Sequence, residues 1–303
     1  MINFKGCMTA LITPFDRKLE VDYEGLRKLI RLQISNKASG VVVLGTTGES
    51  PTIREPERKR IVTEAVDEAG GRIPVIVGTG TNSTEKTIEY TREAEACGAD
   101  GVLVVSPYYS RPSQEGLYRH FSAVAASVRV PMIIYNIQGR TGINIETQTL
   151  LRLSRLKGVA GVKEASGSIS QAMDVMNALP DSFAMMSGDD EMTLPLIALG
   201  GDGVICTISN LLPGLMSEMV GAALDGDMER ARVLHYKLMP LFRAAKLETN
   251  PVPIKAAMEL AGLPSGGVRL PLCGLAPQNM EILRETLSRY KELTGLGKGK
   301  GGR

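Results

Sequence analysis

The chain has 303 residues, 43 % apolar and 22 % charged, with 35 basic against 33 acidic side chains and a net charge of +2. That is the composition of an ordinary globular chain, and its near-neutrality does not mark a nucleic-acid or membrane-surface binder. No apolar run approaches the roughly 18 residues of a membrane span. Four scattered cysteines, Cys7, Cys97, Cys206 and Cys273, form no CxxC pair, which points to reduced thiols in a cytoplasm. Only two histidines exist, His120 and His235, both in helical patterns. Two are too few for a His-rich metal centre, and their helical settings suit surface or packing roles better than a Ser-His-Asp triad.

Short apolar, β-branched runs alternate with longer amphipathic ones from Gly6 to about Ala223. The first, Cys7–Thr13, runs into Pro14 with no small-residue cleavage site, so it reads as a strand and not as a signal peptide. The pattern predicts further strands at Gly40–Gly45, Pro74–Gly78, Gly101–Ser106, Pro131–Tyr135, Val159–Lys163, Phe183–Ser187 and Gly203–Thr207. Between them it predicts helices near 22–37, 54–69, 83–97, 113–127, 146–155, 168–179, 190–199 and 212–223. Runs such as Val41-Val42-Val43-Leu44 suit parallel strands covered on both faces. Eight strand–helix units in succession predict an α/β fold, a (β/α)₈ TIM barrel, over residues 1–224. The alternative, a doubly wound open sheet, commonly has fewer strands and a Gly-rich phosphate turn after the first. Here the one GxG, Gly78-Thr79-Gly80, follows the third strand without a third glycine and reads as a tight turn.

Beyond Asp225-Gly226-Asp227 the strand rhythm stops. Helical patterns near 227–243, 253–261 and 277–294 predict a C-terminal three-helix region over 225–296. The Gly- and Lys-rich end, 297–303, reads as a flexible tail.

In barrel enzymes the chemistry sits where strands end and βα loops begin. Those ends carry Thr46-Thr47, Ser106-Pro107-Tyr108-Tyr109, Tyr135-Asn136, Lys163, Gly188-Asp189-Asp190 and Thr207. Lys163 closes the apolar run Val159-Ala160-Gly161-Val162. A free lysine, with a pKa near 10.4, is neutral in only about one molecule in 2,500 at pH 7. Burial can bring it to roughly 7–8, the range of an imine-forming nucleophile. Alternation puts Lys163 and Gly161 on one face, Gly161 leaving room beside the amine, with Val162 and Glu164 on the other. The competing reading is a strand-end lysine reaching solvent or pairing with Glu164. Tyr135 shares a face with Ile133 and is either a proton relay or a core aromatic. Gly45-Thr46-Thr47-Gly48-Glu49-Ser50 reads as an anion-holding turn or as a plain βα loop.

These stretches resemble the dihydrodipicolinate synthase (4-hydroxy-tetrahydrodipicolinate synthase) family, within the N-acetylneuraminate lyase group, over about residues 3 to 290. The matching pieces are Gly45–Ser50, Ser106–Tyr109 leading to Arg111–Leu117, Tyr135-Asn136 with Arg140-Thr141-Gly142, Gly161–Gly167 and Ser187–Asp190. The resemblance implies that Lys163 forms an imine with pyruvate, and that Thr47 and adjacent backbone N–H groups hold its carboxylate. It implies a proton relay of Tyr135, Thr46 and Tyr109, the last supplied by an adjacent subunit. Arg140 would bind the carboxylate of aspartate semialdehyde, and Gly188 and Ile205 would line the pyruvate pocket. No metal or organic cofactor is implied, and the expected assembly is a homotetramer, a dimer of dimers.

Gln138 stands where the family often has proline. At positions resembling the family's lysine-feedback site, Asn82 and Tyr108 are kept, but Lys86 replaces a common carboxylate, and Glu55 and Arg58 replace histidines. Weak or absent inhibition by lysine is the resulting expectation. The alternatives are an aldolase of the same group acting on a keto-deoxy sugar acid, N-acetylneuraminate or 4-hydroxy-2-oxoglutarate, a pyridoxal-phosphate barrel enzyme, and a ligand-sensing barrel.

Overall fold

The computed structural model describes residues 4–180 and 182–294, so the tail reading for 297–303 lies outside the described residues. Eight strands, β1 (Gly6–Ala10), β2 (Gly40–Val43), β3 (Val75–Gly78), β4 (Gly101–Val105), β5 (Met132–Asn136), β6 (Val159–Glu164), β7 (Ala184–Ser187) and β8 (Gly203–Cys206), form a closed barrel. They pair in chain order, all parallel, and β8 returns to β1. The intervening helices are α1 (Tyr23–Ser35), α2 (Glu55–Ala69), α3 (Thr84–Ala96), α4 (Gln114–Ala125), α5 (Gln138–Thr141), α6 (Thr147–Leu153), α7 (Ile169–Ala178), α8 (Thr193–Ala198) and α9 (Pro213–Leu224). Four more follow: α10 (Met228–Ala244), α11 (Val252–Leu260), α12 (Pro277–Ser288) and α13 (Lys291–Thr294). Among the described residues no helix is long and apolar enough to cross a membrane. The (β/α)₈ barrel expected from the sequence is the fold found.

Period-two alternation sorts each strand between two cores. Met8, Val42, Ile76, Leu103, Ile133, Tyr135, Met186 and Ile205 fill the barrel interior. Their neighbours Cys7, Val41, Val43, Val75, Val77, Val102, Val104, Ile134, Val162, Val204 and Cys206 face the helices. Both faces are dry, so nearly every position before the strands' C-terminal ends takes an apolar side chain. Helix starts follow the capping residues: the side chains of Asp22, Ser83, Ser113, Ser168 and Asp227 each accept an N–H from the first turn.

Most expected boundaries shift by a residue or two; three elements differ for a visible reason, and one short helix was not expected. β1 stops at Ala10 because Asn210 takes the next groups, accepting from Ile12 N at 3.0 Å and donating to the Ala10 carbonyl at 2.7 Å. The helix expected at 190–199 begins only at Thr193, since Asp189 and Asp190 accept loop amides instead of joining it. The helix expected over 277–294 is two, α12 and α13. The one-turn α5 had no periodic signal at all, its four residues being too few to show one.

Candidate active site

Lys163 and Tyr135 are register partners across the β5–β6 pair. Both side chains point into the barrel's C-terminal end, and the lysine Nζ sits 4.3 Å from the centre of the phenol ring. Lys163 is 6 % exposed. Burial pushes its pKa down to about 8; Asp190 and Cys206 pull it back up, and Arg140 lowers it further. About one lysine in ten is then neutral at pH 7, hundreds of times more than for a free amine. No ion pair joins Lys163 to Glu164 among the described residues; Glu164 faces outward and accepts from Asn136 Nδ2 at 3.2 Å and Ser166 N at 2.6 Å.

Gly188, not Gly161, makes room for the amine. A Cβ on Gly188 would lie 3.0 Å from Lys163 Cε, whereas one on Gly161 would strike the Ala184 carbonyl oxygen at 2.5 Å. Gly161 therefore serves the β6–β7 packing.

Burial pushes the Tyr135 phenol up to about 12, against the lowering effects of Arg140 and of a hydrogen bond with Thr46. At neutral pH the phenol therefore keeps its proton, and its hydroxyl is hydrogen-bonded with Thr46. Thr46 opens the turn after β2. The amides of Gly48 and Glu49 are spent inside that turn, on the carbonyls of Gly45 and Thr46. Among the described residues the amides of Thr46 and Thr47 have no partner. Two free N–H groups and two hydroxyls at one bend suit a carboxylate. Thr47 Oγ1 accepts from Asn250 Nδ2 at 2.9 Å.

A cavity of about 180 Å³ unites Thr46, Thr47, Tyr135, Arg140, Lys163 and Gly188. Its size suits a small ligand, below the usual 300–1,000 Å³ of drug-sized pockets. Arg140, on α5, reaches it from the rim and donates to Thr249 Oγ1 at 3.3 Å. Gln138 opens that helix and its carbonyl accepts from Gly142 N at 2.8 Å, closing the turn that delivers Arg140. Tyr135, Arg140 and Thr46 also border a second cavity of about 510 Å³.

Two candidates lie elsewhere. Tyr109 is 90 % exposed with φ +76° and lines neither cavity; its neighbour Tyr108 lines the larger one. Ile205 belongs to the barrel's interior core and lines neither cavity. Arg58 lines the larger cavity, buried, donating to Ser50 Oγ at 2.9 Å and to the Gly78 carbonyl at 3.1 Å. Lys86 is held by Glu55 at 2.5 Å and Glu89 at 2.9 Å, and Asn82 is exposed.

Three site residues went unassigned in the sequence. Asp190, buried in the cavity wall, accepts from Thr207 N and Ile208 N, and burial pushes its carboxyl up to about 6. Its signal, Ser187-Gly188-Asp189-Asp190, was visible but carried no role. Lys246 and Asn250 come from the C-terminal region, where no local pattern marks them.

The family model described as the dihydrodipicolinate synthetase family matches residues 3–290. The chain belongs to that family. The dihydrodipicolinate synthetase relatives include the 4-hydroxy-tetrahydrodipicolinate synthase of Protochlamydia amoebophila (strain UWE25), 52 % identical over 95 % of this chain and 97 % of that one. The solved structure of the 4-hydroxy-tetrahydrodipicolinate synthase from Methylacidiphilum fumariolicum SolV superposes with a TM-score of 0.94 at 46 % identity, covering 97 % of this chain and 98 % of that one. A dihydrodipicolinate synthase from Acinetobacter baumannii, solved in complex with pyruvate, gives 0.93 at 38 % identity over 97 % of this chain and 100 % of that one.

Proposed function

We propose that the chain condenses pyruvate with L-aspartate 4-semialdehyde, the 4-hydroxy-tetrahydrodipicolinate synthase reaction of lysine and diaminopimelate biosynthesis, through an imine on Lys163. As a member of its family it is an enzyme, a lyase. The observation that carries the mechanism is a buried lysine, its pKa near 8, facing a buried phenol in a cavity of small-acid size.

The Lys163 amine attacks C2 of pyruvate, whose carboxylate lies on the Thr46 and Thr47 amides and hydroxyls. The carbinolamine loses water, its proton supplied by Tyr135 through Thr46. The Tyr135 phenolate left by that donation takes up a methyl proton, giving the enamine with the iminium nitrogen as electron sink. The enamine carbon adds to the aldehyde, whose alkoxide takes a proton back from Tyr135, and the second substrate's own amine then displaces Lys163, its proton passing to the phenolate. Arg140 grips the carboxylate of that substrate. The iminium nitrogen is the electron sink for the carbon–carbon bond-forming step, so the proposed reaction calls on no metal or organic cofactor.

Tyr109, and Leu270 at 82 % exposure, offer apolar surface to a second copy. On this reading the copy's Tyr109 completes the relay in a homotetramer built as a dimer of dimers. The free cysteines, two of them buried, agree with a cytoplasmic setting. The test is pyruvate with borohydride followed by peptide mass mapping: the adduct is expected on Lys163 and lost in Lys163→Ala. An adduct on another lysine would reject the mechanism.

A further inference from the structure

The turn that carries Thr46 and Thr47 continues into Glu49, whose backbone is left-handed at φ +55° and whose side chain is fully buried. Glu49 Oε1 meets Lys255 Nζ of α11 at 2.7 Å. The same ammonium donates to the Thr13 carbonyl at 3.0 Å and sits 4.0 Å from the centre of the Phe15 ring. Glu49 Oε2 accepts from Arg269 N at 3.0 Å, and Ser265 Oγ donates to the Lys255 carbonyl at 2.7 Å. A buried ion pair is a costly way to gain stability, since both charges lose their water. What it does supply is one fixed geometry, because a charge held by several directed partners cannot slide.

We propose that Lys255 is a positioning residue: through Glu49 it sets the pitch of the Thr46–Thr47 turn so that its free amides converge on the pyruvate carboxylate. The Glu49 amide donates to the Thr46 carbonyl at 3.1 Å, which couples the carboxylate's anchor directly to the peptide group that carries the Thr47 N–H. Asn250, five residues before Lys255, holds Thr47 from the other side. The first half of the site is thus aimed by a helix more than 200 positions away in the chain. The inference rests on the turn being the carboxylate site.

The test replaces the pair as a unit, Lys255→Met with Glu49→Gln, which leaves no unpaired buried charge. Imine trapping by borohydride is titrated with pyruvate and with pyruvamide, which lacks the carboxylate, in the native protein, the double variant and Thr47→Val. Melting temperatures are taken alongside. The double variant should need about ten- to a hundredfold more pyruvate for half-maximal trapping, with pyruvamide changed less than about threefold, as fits an aiming error of under an ångström. Glu49→Asp, which keeps both charges but shortens the reach by one methylene, should move the same way by less, and it carries the test if the double variant does not fold. A folded variant with native pyruvate half-saturation overturns the inference, as do equal losses for pyruvate and pyruvamide. If Thr47→Val also keeps full discrimination, the reading of the turn falls with it; if Thr47→Val loses discrimination, only the role of Lys255 falls.

Discussion

Tyr135 and Lys163 occupy opposed positions on adjacent parallel strands, and the ammonium lies against the face of the phenol at 4.3 Å from its centre. The ring shields the amine from water while its hydroxyl reaches past it to Thr46. Tyr135→Phe keeps the shield and removes the proton carrier. Turnover should fall by about 10²–10⁴-fold, with the imine still trapped at long incubation. Undiminished turnover would remove Tyr135 from the relay.

Imine formation needs the neutral amine. With Lys163 near pH 8, its rate should climb about tenfold per pH unit below 8 and level off above. Stability carries the opposite face of the same shift. Between pH 8 and the ordinary lysine value the unfolded chain binds the proton and the folded one does not, so stability rises with pH there; below 8 the burial penalty is complete. Lys163→Met should therefore melt several degrees higher than the native protein at pH 7, and that gap should narrow as pH rises from 8 towards 10.5. A gap that widens with pH would contradict the assignment.

Arg140→Ala separates the two substrates. Loss of a charge-assisted grip of about 2–3 kcal/mol should raise the KM for the aldehyde and lower kcat, with pyruvate trapping intact. If both half-reactions fell together, Arg140 would be a structural residue of α5.

Gly188→Ala tests crowding at the amine. The new methyl would stand 3.0 Å from Lys163 Cε and 2.8 Å from Ala165 Cβ. An overpacking cost of about 1–3 kcal/mol and slower trapping are expected. Trapping at the native rate would mean the lysine has room to yield.

Free lysine is expected to inhibit weakly. Lys86 is neutralised by Glu55 and Glu89, but Arg58 is buried in the larger cavity and, among the described residues, has no carboxylate partner. An approaching ammonium meets like charge there. Initial rates with millimolar L-lysine check this, and strong inhibition would refute it.

The barrel was legible because its strand signal is local: Val42 and Val43, adjacent in the chain, face opposite dry cores, so the runs are unbroken, and eight such runs recur. Lys163 and Tyr135 were legible for the same reason, as polar endings to apolar strands. Gly161 was misjudged because which glycine abuts the amine depends on the neighbouring strand, not on spacing within β6. Asn250 and Lys255 left no trace, since their partners Thr47 and Glu49 lie more than 200 residues away and a helix advertises only its own apolar face.

Phe242, Ala245, Lys246 and Asn250 wall the small cavity, and Lys246 bridges Asp189 at 2.9 Å and Glu191 at 3.0 Å. The C-terminal helices are therefore the cavity's roof as much as the barrel is its floor. A chain ending at 224 would leave Lys163 facing bulk water, a high-dielectric surrounding in which its ammonium is comfortable. The amine would drift back towards an ordinary lysine and be almost wholly protonated at neutral pH. Besides aiming the turn, the last quarter of the chain gives the proposed reaction dryness.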